Sequence, residues 1–129
     1  MANPAKLPVT ELVANSMTAR PSGDAIDTDG DVPILAADLG GASGRLVIEV
    51  TSGIDDLVVT VRHGDNPPAV REALGDHSET LDNGAVGLFG PYEAARFMQD
   101  DGRVLVNFNV AGAGAATATV RTYLLPKAV

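Results

Sequence analysis

The stretch Arg45-Leu46-Val47-Ile48-Glu49-Val50-Thr51 is followed, after Ser52-Gly53-Ile54-Asp55-Asp56, by Leu57-Val58-Val59-Thr60-Val61-Arg62. Its hydrophobic period is two. Leu46, Ile48 and Val50 share one face, and so do Leu57, Val59 and Val61. Period-two alternation with β-branched residues specifies half-buried strands. The intervening Ser-Gly-Ile-Asp-Asp carries turn residues, so the two runs read as a hairpin.

The same rhythm continues on both sides. Val32 to Ala36 reads as a short strand, and Pro33 marks it as a start or an edge because proline lacks the donor a central strand needs. Ser78–Leu81 and Ala85–Phe89 flank Asp82-Asn83-Gly84, a hairpin signal because Asn-Gly tolerates positive φ. Tyr92 to Gln99 reads as a strand, with Ala95 and Phe97 on one face and Arg96 on the other. In Arg103 to Val110, Val104, Val106 and Phe108 point inward while Asn107 and Asn109 point outward. Thr117 to Leu125 sets Val120, Thr122 and Leu124 opposite Thr119, Arg121 and Tyr123. The Gly/Ala run 111–116 between the last two reads as a loop tip. Only Ala69 to Leu74, after Pro67-Pro68, suggests a short helical insertion, ended by Gly75. No strand–helix alternation occurs. The pattern predicts an all-β fold, an antiparallel β-sandwich or barrel of about eight strands.

With 129 residues, one domain is expected. Residues 1–24 are polar and broken by Pro4, Pro8 and Pro21, with Leu7, Val9, Glu11 and Val13 able to support one short strand. They read as an N-terminal arm or edge strand, and residues 25–129 as the β-sandwich domain. Aromatics make up only 4% of the chain, so Val, Ala, Leu and Thr are expected to fill the core. There is no cysteine, which excludes disulfides and thiolate metal sites. The opening residues lack an apolar leader segment, and no run reaches the roughly 20 apolar residues of a membrane span. The net charge of −8 comes with scattered single basic residues. That distribution disfavours nucleic acid, because phosphate neutralisation needs clustered Lys and Arg. It also disfavours anionic membranes.

Residues with chemical potential are few. Asp27, Asp29 and Asp31 match the first three ligand spacings of a calcium loop, with Asp38 at the twelfth position. Val32 occupies the place of the turn glycine, and Asp38 that of the bidentate Glu. The three aspartates are a weak cation candidate, and Asp-Gly turns explain them as well. His63 and His77 flank the Pro-Pro loop near Asp65, Glu72 and Asp76, in no recognised metal or acid–base spacing. Gly40-Gly41-Ala42-Ser43-Gly44 lacks the lysine of a phosphate loop. No nucleophile elbow, dinucleotide fingerprint or His-Glu-x-x-His pair occurs. The expectation is a protein that is not an enzyme and carries no cofactor.

Two segments point further. Gly64-Asp65-Asn66-Pro67-Pro68-Ala69 and Gly90-Pro91-Tyr92-Glu93-Ala94-Ala95-Arg96-Phe97 resemble a pair of motifs in the small β-rich head accessory proteins of tailed bacteriophages, particularly those of actinobacterial hosts. The resemblance covers residues 25–125. It implies a non-enzymatic decoration protein that binds the outside of the shell and stabilises it. The major capsid protein is the implied partner, a homo-oligomer, with a trimer favoured, the implied state, and the virion exterior the location after assembly in the host cytoplasm. The family motif brings no catalytic residues. Tyr92, Glu93 and Arg96 are candidate partner contacts, Arg96 as a strand arginine facing away from Ala95 and Phe97. The alternatives are a tail or head–tail joining protein, and a ligand-binding β-sandwich module. The absence of Trp and the presence of only two Tyr disfavour sugar platforms.

Overall fold

The computed structural model describes residues 3–35, 45–62, 76–91, 103–112 and 114–126. Within them the chain is all-β, with nine strands and no helix. The strands are β1 (Val9–Glu11), β2 (Asp24–Ile26), β3 (Gly30–Ile34), β4 (Leu46–Ser52), β5 (Leu57–Val61), β6 (His77–Leu81), β7 (Val86–Phe89), β8 (Val104–Val110) and β9 (Ala118–Leu124). The expected helical insertion at 69–74 and the expected strand at 92–99 lie outside the described residues.

The strands form two sheets. One has the order β1-β9-β4-β7, with β2 also on β9, and the other has the order β3-β8-β5-β6. Neither closes into a barrel, which removes the barrel alternative. The pairing is also not wholly antiparallel. β1 runs parallel to β9, with Val9 opposite Thr122 and Glu11 opposite Leu124. The strand not anticipated is β2, whose three residues, Asp-Ala-Ile, are too short to show a period.

Inner faces follow the predicted alternation. Leu46, Ile48 and Val50 of β4, Leu57, Val59 and Val61 of β5, Val104, Val106 and Phe108 of β8, and Val120 and Leu124 of β9 all join one buried cluster. Among the described residues, only Phe89 and Phe108 contribute aromatic rings to it. The remainder is aliphatic and close-packed, so lost volume there is felt directly.

The expected hairpins are not formed. β4 pairs with β7 and β9, while β5 pairs with β6 and β8. Residues 53–56 therefore carry the chain from one sheet to the other. Residues 82–85 do the same, because β6 and β7 lie in different sheets. Facing sheets lie about 10 Å apart, and four extended residues span roughly 13 Å, so so short a loop reaches across. Alternation tells which face of a strand is buried. It does not tell which sheet the strand joins, since both sheets bury the same kind of face.

Four sheet-to-sheet connections gather at one end: β2–β3, β4–β5, β6–β7 and β8–β9. They are tied to each other. Asn83 N donates to Asp55 Oδ1 (3.0 Å) and Ala116 N to Asp29 Oδ1 (2.9 Å). Gly84 N donates to Ser52 O (2.9 Å), Gly53 N to Thr117 O (2.8 Å) and Ala111 N to Asp56 O (3.0 Å). Ala116, expected in a loop tip, is fully buried.

The N-terminal residues are stitched to both sheets. Asn3 Oδ1 accepts from the backbone of Asp27 (2.9 Å) and Thr28 (3.1 Å). Leu7 N donates to Pro33 O (2.9 Å), and the Leu7 side chain is 1% exposed within the common core. Among the described residues β3, with Pro33 opposite Leu105, is the edge of its sheet, where a proline is tolerated. Leu7→Ala is expected to lower stability by about 2–5 kcal/mol through cavity formation. The readout is a lower urea midpoint with an unchanged slope.

Candidate functional site

Outward residues of the β4 sheet carry the most organised polar cluster among the described residues. Glu49 sits at the middle of β4, with Leu88 of β7 opposite it on one side and Arg121 of β9 on the other. Only 8% of Glu49 is exposed. A lone carboxylate buried at a strand centre needs partners, because an unpaired buried charge is strongly penalised.

It has three. Tyr123 Oη donates to Glu49 Oε1 at 3.0 Å. Arg20, from the β1–β2 connection, donates to Oε2 and forms an ion pair there. The Arg121 guanidinium stands 3.5 Å from the same oxygen. Arg121 reaches further: its Nε donates to Pro21 O (2.7 Å) and a terminal nitrogen to Ser22 O (3.1 Å). Arginine suits this role because its fixed fork of donors can serve a carboxylate and carbonyls together.

Burial pushes the Glu49 carboxyl up, but the hydrogen bonds from Arg20 and Tyr123 and the charges of Arg20 and Arg121 outweigh it. The net effect is a pKa below the usual carboxylate range. Burial, then the bond to Glu49, raises the Tyr123 phenol. An ionised carboxylate between two guanidinium groups is a tie, and a poor proton donor or acceptor near neutral pH.

Beside this cluster is a cleft of about 180 Å³, lined by Pro8, Thr10, Pro21, Ser22, Asp24 and Arg121 among others. Its origin is topological. Along one edge of β9, β2 covers residues 118–120 and β1 covers residues 122–124. The cleft opens where one short strand hands over to the other. Gly23 makes the approach, with φ +91° and the position of a Cβ only 2.6 Å from Thr119 Cγ2.

On the far side of β4, the outer face of β7 is apolar and open: Val86 is 56% exposed and Leu88 70%. The strand leads directly to Gly90-Pro91, where the second motif begins. Tyr92, Glu93 and Arg96, the partner contacts expected from the sequence, lie outside the described residues.

Two of the three aspartate carboxylates of the weak calcium candidate accept hydrogen bonds from other parts of the chain. Asp29 Oδ1 accepts from Ala116 N. Asp31 Oδ1 accepts from Arg62 Nε (2.8 Å) and Asn107 Nδ2 (3.0 Å) on the outer face of the second sheet. Asp27 contributes its backbone N–H to Asn3. Among the described residues no three His, Asp or Glu side chains converge as a metal set. His77 Nε2 lies 3.1 Å from Glu79 Oε2 on β6, and His63 is outside the described residues.

The Glu49 cluster escapes sequence reasoning because Arg20 is 29 residues away. The available signal is one acidic residue in the middle of an otherwise apolar strand. Comparison with known proteins adds no relative: no family model, curated protein or solved structure matches the chain.

A carboxylate that binds its proton more weakly in the fold stabilises the fold fully above its unfolded pKa, with the reference value at 4.5. That contribution is lost as pH falls through the lowered folded value. Glu49→Gln is expected to be less stable than the parent at pH 7, with the difference shrinking as pH falls below about 4.5. Urea titrations of both proteins from pH 7 to pH 3 measure it. Gly23→Ala is expected to cost more than about 1 kcal/mol from its positive φ and the Thr119 contact.

Proposed function

We propose that the protein is a non-enzymatic virion structural protein, a β-sandwich that binds the outer surface of a phage capsid as a homo-oligomer, a trimer favoured, and reinforces the shell. The major capsid protein is its partner and the virion exterior its location. One observation carries this reading: the paired segments 64–69 and 90–97, which resemble the motifs of phage-head accessory proteins.

Three features support it. The net charge of −8 suits the outside of a DNA-filled shell better than the inside, where packaged phosphates repel acidic surfaces. Val86 and Leu88 present an apolar strip on the strand that leads into the second motif. Tyr92, Glu93 and Arg96, the candidate partner contacts of the sequence, follow it closely in the chain. The strip alone is small. A shell offers many equivalent positions, so an oligomer engaging several of them multiplies a modest contact into stable attachment.

Shells stripped of this protein are expected to rebind it at a fixed, high copy number and to regain resistance to heat, while free capsid subunits do not bind. Failure to rebind overturns the proposal, and a copy number of only a few per particle points to a tail or joining role. The double variant Val86→Thr, Leu88→Thr, which adds no charge opposite Glu49 and keeps strand-forming residues, is expected to hold an unfolding midpoint near the parent's and to lose roughly tenfold or more in shell affinity, as loss of apolar burial at about 0.8 kcal/mol per methylene implies.

A further inference from the structure

The connection from Leu12 to Gly23 runs between β1 and β2 and contains no strand. It is tied at its two ends. Leu12 N donates to Leu124 O at 2.8 Å. At the far end Arg20 meets Glu49, and Pro21 and Ser22 offer their carbonyls to Arg121. Between these ties the strap exposes Val13 (62%) and Met17 (85%). A segment with few buried apolar contacts opens at low free-energy cost relative to the core.

The groups around the Glu49 carboxylate are Arg20 from the strap, Arg121 and Tyr123 from β9, and the apolar Leu88 from β7. Among the described residues, Glu49 is thus the single negative charge between two guanidinium groups. We propose that Glu49 is an acid-operated latch: its protonation releases residues 13–20 of the strap from the outer face of the sheet, while the bonds at Leu12, Pro21 and Ser22 hold the ends of the strap and both sheets stay intact. Tyr123 and the Glu49 carboxyl are thereby bared.

The physical sequence is short. A proton on Glu49 removes the charge-assisted bond from Arg20. It also leaves the Arg20 and Arg121 cations close together with no counter-charge, and like charges repel. The strap is the mobile partner, because Arg121 is fixed on a central strand. The core cluster beneath, Leu46, Ile48, Val50 and Val120 among it, is held by aliphatic packing that this proton does not touch. Since Glu49 titrates below the usual carboxylate range, the latch stays shut at neutral pH and opens only in acid. The inference is independent of the capsid reading.

Backbone amide NMR of the full chain tests it. At pH 7 the order parameters of residues 13–20 are expected near those of the sheets. At acid pH, before global unfolding, they are expected to fall below about 0.6 while those of β4, β8 and β9 stay near 0.85. Glu49→Gln is expected to show the open strap already at pH 7. Arg20→Gln, which alters only an exposed strap residue, is expected to do the same if the Glu49 variant fails to fold. The proposal is overturned if the strap keeps its neutral-pH order until the sheets melt, or if the strap of the variant that folds matches the parent's at pH 7.

Discussion

The pairing of β4 with β9, from Leu46 opposite Leu124 to Ser52 opposite Ala118, organises everything around it. It is antiparallel and central to its sheet. Its inner side supplies Leu46, Ile48, Val50, Val120 and Leu124 to the core. Its outer side sets Glu49 opposite Arg121. The free edges of the pair then receive β7 on one side and the short strands β1 and β2 on the other. A three-residue strand cannot hold itself, so β1 and β2 exist because β9 offers them a fixed row of donors and acceptors.

The outer face shows how an unfavourable residue becomes a structural one. Glutamate is a poor choice for a central strand position unless its charge is matched. Here Arg121 matches it locally, and Arg20 comes from the connection that leads into β2. The same arginine on β9 holds the backbone carbonyls of Pro21 and Ser22. One carboxylate and one guanidinium thus fasten a segment that contributes little to the core. Such a tie depends on ionisation, unlike the aliphatic packing beneath it.

Acidic residues at the crossover end have a different task. Asp29 and Asp55 accept backbone N–H groups from other connections, which fixes β2–β3 to β8–β9 and β4–β5 to β6–β7. Aspartate does this well because its short side chain reaches backbone donors in turns. Part of the chain's acidity is therefore turn chemistry. The open apolar strip on β7 lies outside that network, on a sheet face.

The order of alternation along 46–50, 57–61, 104–110 and 118–124 determined the all-β class, the inward residues and the edge position of the proline strand. These are local properties, set by a two-residue period and by the missing donor of Pro33. Pairing was not legible. Short turns after Ser52 and Leu81 look alike whether the chain folds back in one sheet or crosses to another, because both outcomes bury the same face. The three residues of β2 carry too little pattern to announce a strand. Arg20 gives no hint of Glu49, since their meeting depends on where β1 and β2 settle along β9. Sequence by itself therefore determined which residues must leave water, and tertiary structure alone decided which strands share a sheet and which charges meet, because those choices rest on long-range packing that no local period encodes.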